Sequence, residues 1–214
     1  MYISHYACYN HPVMCGIFGY YGHKEDGILL VVEGLKKLEY RGYDSWGVAE
    51  KQNNEIFVHK EIGKIGEFDA QEIRRTSELK KSEKNIGKKG PTIAMGHSRW
   101  ATHGGVTDSN AHPHYSENKE IAIVHNGIFE NYIEIKKNLL NRGHLFRSDT
   151  DTEVLAHLIE EFCKKSDFES SAKKALKLVE GRYAVVIMSS KENKIIAARR
   201  GSPLIVGVGN KEEE

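Results

Sequence analysis

The order of predicted strands and helices in this chain of 214 residues favours a layered α+β domain. Strand patterns occupy the beginning, the middle and the end, and long amphipathic helices lie between the last two groups of strands. That grouping is typical of sheets covered by helices. No internal repeat or low-complexity linker divides the chain, so its length suits one large domain or two small ones.

In the first half, a short run with strand character follows Cys15. Apolar residues three and four positions apart predict a helix over 26–39, with Asp26 as its N-cap. A hairpin is predicted from 46–50 and 56–59, around Asn53-Asn54. We expect a helix over 63–80 and a solvated basic loop over 80–90.

In the second half, continuous apolar runs predict buried strands at 92–95 and 121–124. Periodic apolar positions predict helices at 131–142, 153–164 and 168–179. A strong hairpin follows at 181–190 and 194–200, and a further strand at 204–208.

Composition excludes several classes of protein. The formal net charge is +1, so bulk charge gives no reason to expect a nucleic-acid partner. No apolar run approaches the roughly 20 residues that span a bilayer, so no membrane partner is expected. The three cysteines, Cys8, Cys15 and Cys163, are too few and too irregular for a disulfide scaffold. They indicate a reducing compartment, and we expect a cytoplasmic protein.

Cys15 follows a methionine, and a Met-Cys start is normally trimmed because the second residue is small. Trimming would give Cys15 both a thiol and an α-amine, whose pKa of about 7.7–8.0 suits it to accept the thiol proton. The alternative is a buried structural cysteine at the start of a strand. Residues 1–14 lack the features of a secretory signal, and we interpret them as a mis-assigned start or a propeptide.

Unusual residues lie at three junctions between a predicted strand and a loop, which are Cys15, the segment 99–103 and the segment 125–127. Cys15 supplies a thiolate, and Asn126 with Gly127 supplies an amide and a backbone N–H for an oxyanion. Arg99 can bind a carboxylate through two hydrogen bonds, and Asp151 can bind an ammonium. A carboxylate, an ammonium and a carboxamide together describe glutamine, so the sequence predicts a site that cleaves the amide of glutamine.

A metal site is the competing interpretation of the histidines, which cluster in the sequence as His97, His103, His112, His114 and His125. They form none of the familiar ligand spacings, and several are expected to be hydrogen-bonding loop residues. Asp149 and Asp151 could suggest Mg²⁺, but Asp149 is better explained by the start of a helix, where carboxylates are favoured. We therefore predict no metal and no cofactor.

Six motifs resemble the glutaminase domain of the glutamine–fructose-6-phosphate aminotransferase (isomerizing) family. They are 15–17 (CGI), 38–45 (LEYRGYDS), 97–104 (HSRWATHG), 110–114 (NAHPH), 125–128 (HNGI) and 150–154 (TDTEV). Class II glutamine amidotransferases in general share the cysteine and the Asn-Gly pair. The second and third motifs point to this family rather than to the purine-pathway amidotransferase or asparagine synthetase.

The resemblance implies an Ntn-hydrolase fold, a four-layer αββα sandwich. It implies that Cys15 is the nucleophile with its own α-amine as base, and that Asn126 and Gly127 form the oxyanion hole. Arg99 and Asp151 would bind the glutamine α-carboxylate and α-ammonium. A loop containing Trp100, Thr102 and His103 would close over glutamine.

The resemblance also implies partners. Released ammonia would pass to a sugar-isomerase module, which converts fructose 6-phosphate to glucosamine 6-phosphate in a full-length homodimer. We expect residues 15–214 to be a glutaminase domain that lacks its last strands and that module. A glutamine-binding module without catalysis and another class II amidotransferase remain as alternatives. Trp46 stands where the family commonly has a small residue, which leaves the local packing open.

Overall fold

The computed structural model describes residues 2–4, 15–23, 26–66, 68–75, 90–101 and 104–209. The strands are β1 Tyr2–Ser4, β2 Gly16–Gly22, β3 Ser45–Gln52, β4 Glu55–Ile62, β5 Thr92–Arg99, β6 His114–Tyr115, β7 Ile121–Phe129, β8 Gly181–Ser189, β9 Ile195–Arg200 and β10 Ile205–Gly207. The helices are α1 Gly27–Lys36, α2 Gln71–Arg75, α3 Tyr132–Leu140, α4 Thr152–Cys163 and α5 Phe168–Leu178, and a 3-10 helix spans Glu39–Arg41. In this part of the chain, no helix has the length and apolar content that crossing a membrane requires.

Two antiparallel sheets form the centre of the domain. The larger sheet has the order β10-β1-β2-β5-β3-β4, and the smaller one has the order β6-β7-β8-β9. Strand β5 lies between β2 and β3, so the chain that leaves it is next to the beginnings of both neighbours. That position brings the segment after Arg99 beside Cys15.

Three apolar layers hold the sandwich together, because side chains along each strand alternate between the two faces of a sheet. The layer between the sheets contains Ile17, Ala49, Ile93, Met95, Ala122, Val124, Val186 and Met188. On the outer face of the larger sheet, α1 packs through Ile28, Val31, Val32 and Leu35. On the outer face of the smaller sheet, α3, α4 and α5 pack against β7 and β8. The arrangement confirms the predicted αββα sandwich.

The hairpin and the later helices agree with their predictions, with ends shifted by a few residues. Asn53 takes the left-handed conformation of the hairpin turn, with φ 55°. The helix predicted over 63–80 is wrong in its first part. Among the described residues of that range, only Gln71–Arg75 is helical, and Gly63 (φ 98°) and Gly66 (φ 46°) turn the chain before it. Residues 76–89, which include most of the predicted basic loop, lie outside the described residues.

Strand β1 was not predicted. Residues Tyr2–Ser4 form antiparallel ladders with Phe18–Tyr20 of β2 on one side and Ile205–Gly207 of β10 on the other. Part of the segment before Cys15 is therefore a strand of the larger sheet.

Trp46 has a packing explanation. It is the largest fully buried side chain of the described residues, and its ring centroid lies 4.8 Å from that of Phe68 and 5.5 Å from that of His59. Ile65 and Ile73 belong to the same apolar cluster. The segment before and within α2 thus covers the indole.

Candidate active site

Cys15 lies directly before β2, where it meets the end of β5. Gly16 pairs with Ser98, which places Cys15 beside Arg99 and Trp100. Its Sγ accepts a hydrogen bond from the Trp100 N–H at 3.1 Å and lies 3.5 Å from the Trp100 carbonyl oxygen. Burial raises the pKa of the thiol, while the Trp100 N–H and the charge of Arg99 act in the opposite direction.

Asn126 reaches Cys15 from the other sheet. Its Nδ2 donates to the Cys15 carbonyl oxygen at 2.7 Å. Its Oδ1 lies 2.9 Å from Nε2 of His97, which is also 3.1 Å from the carbonyl oxygen of His125. Because both of these oxygens are acceptors, the His97 Nε2 carries the proton and donates. The Asn126 amide is thereby fixed with its N–H₂ group towards Cys15.

Gly127 follows in the same strand. Its φ of +133° is poorly accessible to residues with a side chain, and a Cβ there would lie 2.0 Å from the carbonyl oxygen of Arg182. The prediction that the strand ends at residue 124 is wrong. Strand β7 continues to Phe129 because Gly127 keeps its place opposite Tyr183.

Arg99 is buried, and its guanidinium donates to two loop carbonyl groups. Nη1 lies 3.2 Å from the oxygen of Gly105, and Nη2 lies 3.4 Å from that of Gly104. Burial lowers the pKa of Arg99, and the charges of Cys15, Asp44 and Asp151 oppose that effect. The guanidinium of Arg99 is therefore close enough to Cys15, Asp44 and Asp151 to interact with their charges.

The segment 40–45 supports the chain after Arg99. The Asp44 N–H donates to the Arg99 carbonyl oxygen at 3.0 Å, and its Oδ2 accepts from the Ala101 N–H at 2.8 Å. Gly42 permits this approach, since a Cβ there would lie 2.7 Å from the Arg99 carbonyl carbon. The Trp100 ring meets the Tyr43 ring edge-on, with centroids 5.1 Å apart. Thr102 and His103 lie outside the described residues.

Asp151 precedes α4, and its side chain is 14% exposed. Oδ2 accepts from the Phe129 N–H at 2.7 Å and lies 3.8 Å from Nδ1 of His125. Thr152 Oγ1 lies 3.5 Å from Oδ1. The carboxylate is therefore attached to β7, two residues beyond Gly127.

Four buried histidines surround this region. His97 stacks on His112 with centroids 4.2 Å apart, and His114 meets His112 at 4.5 Å. Nε2 of His112 and Nδ1 of His125 both contact Thr152 Oγ1, at 3.1 and 2.9 Å. Burial lowers the pKa of His97 to about 3 and that of His125 to about 4, so both rings are neutral. None of the four joins a three-residue group of ligand atoms among the described residues.

The sequence prediction assigned no role in the glutamine site to His97, Asp44 or Thr152. Each lies in one of the six motifs, and Thr152 directly follows the predicted Asp151. Their contacts depend on which strands are adjacent, so position in a motif was the available signal.

Residues 71–206 match the glutamine amidotransferase domain family. The chain is 48% identical to the glutamine–fructose-6-phosphate aminotransferase (isomerizing) of Thermus thermophilus over 199 residues, 93% of this chain and 31% of that protein. The enzyme of the same name from Pyrococcus horikoshii is 46% identical over 201 residues, with 93% and 31% covered. The chain thus spans about a third of the length of these relatives.

A solved structure has the same architecture. The glutamine phosphoribosylpyrophosphate amidotransferase of B. subtilis superposes with a TM-score of 0.62 and 32% identity, over 86% of this chain and 36% of that one. The fold and these comparisons define an Ntn-hydrolase amidotransferase domain. The chain belongs to the glutamine amidotransferase domain family, and it is homologous to the N-terminal part of the aminotransferases named above.

Proposed function

We propose that Cys15 hydrolyses the side-chain amide of L-glutamine to glutamate and ammonia once its α-amine is free. The observation that carries this proposal is the convergence of two sheets on one residue. The Cys15 Sγ lies beside the Trp100 N–H, and the oriented Asn126 amide lies 2.7 Å from the Cys15 carbonyl oxygen. The adjacency of a thiol and an amide donor supports the roles of Cys15 as nucleophile and of Asn126 as oxyanion donor.

The remaining roles follow from charge. Arg99 would bind the α-carboxylate of glutamine, and Asp151 its α-ammonium. The Asn126 Nδ2 and the Gly127 N–H would hold the oxyanion. Trp100, Thr102 and His103 would belong to the segment that covers the substrate. Support comes from the charges that act on Arg99, since Asp151 and Cys15 are both among them.

The reaction balances without a cofactor. The α-amine takes the thiol proton, and the thiolate attacks the carboxamide carbon to give a tetrahedral intermediate. That intermediate collapses as the C–N bond breaks, and the departing nitrogen takes the proton from the amine and leaves as ammonia. Water then attacks the thioester, aided by the amine, and releases glutamate and the thiol.

For the whole protein, we propose the activity named for the relatives. The ammonia would be used by a sugar-isomerase module to convert fructose 6-phosphate to glucosamine 6-phosphate, in a cytoplasmic homodimer. The domain proper would begin at Cys15. Support comes from 48% identity along nearly all of this chain.

Residues 1–14 favour a second candidate function. While they are attached, the Cys15 nitrogen is an amide and cannot act as a base, so the chain would bind glutamine without cleaving it. Three of these residues are paired in the larger sheet.

One comparison separates the two functions. The chain beginning at Cys15 and the chain beginning at Met1 are assayed for glutamate release, with Cys15→Ala as the control for nucleophilic catalysis. We expect release only from the first chain, and glutamine binding by calorimetry in all three. A folded Cys15 chain that binds glutamine without a thioester detectable by mass spectrometry would support the binding module.

A further inference from the structure

Glu117, His144 and His157 meet at a point that the proposed reaction does not use. One carboxylate oxygen and one ring nitrogen from each histidine all lie within 4.8 Å of one another. Glu117 comes from the turn between β6 and β7, His144 follows α3, and His157 lies within α4. The histidines are 4% and 0% exposed, while Glu117 is half-buried at the edge of the cluster.

The two rings face each other through the same type of atom. Nδ1 of His144 lies 3.1 Å from Nδ1 of His157. Two imidazole ligands on one tetrahedral zinc ion, each at 2.0–2.1 Å, have nitrogen atoms about 3.3 Å apart. The observed separation is close to that value.

The opposite nitrogen of each ring faces a carboxylate. Nε2 of His144 lies 3.1 Å from Oε2 of Glu161, and Nε2 of His157 lies 3.5 Å from Oε1 of Glu153. A metal-ligating histidine typically donates its second N–H to such a carboxylate, which fixes the ring and its tautomer. Phe146 also stacks on His157 with centroids 4.4 Å apart.

Neutral rings cannot satisfy this arrangement. If both Nε2 atoms carry protons towards their carboxylates, two Nδ1 lone pairs oppose each other at 3.1 Å. If one Nδ1 instead carries a proton towards the other, the Nε2 of that same neutral ring presents a lone pair to a carboxylate, which is Glu153 for His157 and Glu161 for His144. A cation that both Nδ1 atoms coordinate, placed to one side of the line that joins them, removes the conflict in each case.

We propose that Glu117, His144 and His157 bind one divalent transition-metal ion, with zinc as the best match to two imidazoles and a carboxylate. Two imidazole nitrogens and a carboxylate suit zinc and the other divalent first-row transition metals better than Mg²⁺ or Ca²⁺, which prefer oxygen ligands. Glu117 would provide the ligand nearest the surface and water the fourth. The ion would join the turn after α3, helix α4 and the β6–β7 turn.

The test uses the full chain, free of any affinity tag, titrated with Co²⁺ and then Zn²⁺. We expect one Co²⁺ per chain with a visible absorption band typical of four-coordinate nitrogen and oxygen ligation, displaced by Zn²⁺. After desalting, one zinc should remain by elemental analysis, and Zn²⁺ should raise the Tm.

Variants locate the ion. His144→Gln and Glu117→Gln should weaken Co²⁺ binding at least tenfold, and near-UV circular dichroism checks that they fold. His59→Gln, which removes a histidine from the β3–β4 hairpin, is the matched control and should bind like the original chain. Cys15→Ser should also keep the band, because the thiol is not a ligand.

Three results would overturn the proposal. They are no metal retained by the folded original chain, unchanged binding in both His144→Gln and Glu117→Gln, or an equal loss in His59→Gln. A protonated histidine pair seen by nitrogen NMR in a chain that takes up no Co²⁺ would identify a proton as the cation and would also exclude the metal.

Discussion

His97 determines which way Asn126 presents its amide. The His97 ring lies on β5 of the larger sheet, and its Nε2 donates to Asn126 Oδ1 on β7 of the smaller sheet. A second acceptor, the carbonyl oxygen of His125, holds the same N–H. With its oxygen occupied, Asn126 directs its N–H₂ group at Cys15. His97 is a positioning residue, and its effect on the proposed reaction should pass through Asn126.

Replacing His97 therefore tests amide orientation. We expect His97→Leu to lower kcat for glutamine hydrolysis by up to about 10²–10³-fold, the cost of removing one oxyanion donor. KM should change little, since Arg99 and Asp151 would be untouched. His97→Gln retains an N–H donor and should recover part of the rate. An equal decrease in kcat for both variants, or a rise in KM with kcat unchanged, would count against this role.

Replacing Asn126 tests the donor itself. Asn126→Ala should cost about 10²–10³-fold in kcat, while glutamine binding measured in the Cys15→Ala background is preserved. The double variant of His97→Leu and Asn126→Ala should lose little beyond Asn126→Ala alone, because both remove one donor. A decrease below tenfold for Asn126→Ala would remove it from the oxyanion site.

The buried histidines predict loss of stability in acid. Burial lowers the pKa of His97 to about 3 and of His125 to about 4, below the ordinary value of 6.5. Below pH 6.5 the unfolded chain takes up protons on these histidines, whereas the folded chain does not. Their contribution to the free energy of unfolding is therefore fully present above pH 6.5 and decreases as the pH falls towards 4 for His125 and 3 for His97. Between pH 8 and pH 5, each ring should cost about 2 kcal/mol.

Urea unfolding at pH 8, 6.5 and 5 checks this expectation. His125→Gln should reduce the loss between pH 8 and pH 5 by about 2 kcal/mol, whatever its effect at pH 8. Ser98→Ala, a buried change beside His97 with no titratable group, should keep the full loss. Equal stability of the original chain at pH 8 and pH 5 would contradict the burial argument.

Trp46 should contribute to stability through its packing. Trp46→Ala is expected to lower the free energy of unfolding by about 3–5 kcal/mol, because the indole is fully buried against Phe68 and its neighbours. Trp46→Phe should cost clearly less. Tyr40→Ala, at a side chain 71% exposed, is the matched control and should change stability by less than about 0.5 kcal/mol. A loss below 1 kcal/mol for Trp46→Ala would show that the pocket collapses around the smaller side chain.

Local patterns in the sequence were sufficient for most of the fold. Alternating and three-four periodicities gave the hairpins, the later helices and the two central strands, since the faces they bury are continuous in the chain. The Asn126-Gly127 pair led to the wrong end for the strand at 121–124, because in isolation such a pair is typical of a turn. Only the ladder with β8 shows that Gly127 can stay inside a strand at φ +133°.

The candidate site was partly predictable for a related reason. Cys15 and Arg99 sit at the ends of adjacent strands, and the sequence placed Asn126 just after a third strand, so their proximity could be anticipated. The orientation of the Asn126 amide could not, because it depends on His97 in the opposite sheet. Glu117, His144 and His157 come from three separate segments and show no familiar ligand spacing, so the sequence could not predict that they lie close together.

The pairing of β1 between β2 and β10 has a consequence for the proposed removal of residues 1–14. The residues of β1 lie upstream of Cys15, so a cut that liberates the cysteine nitrogen also takes a strand out of the sheet. The backbone amides at 205–207 then lose their partners or form a new ladder. Their rate of deuterium uptake should change when residues 1–14 are removed, so hydrogen exchange would report the proposed removal independently of any substrate.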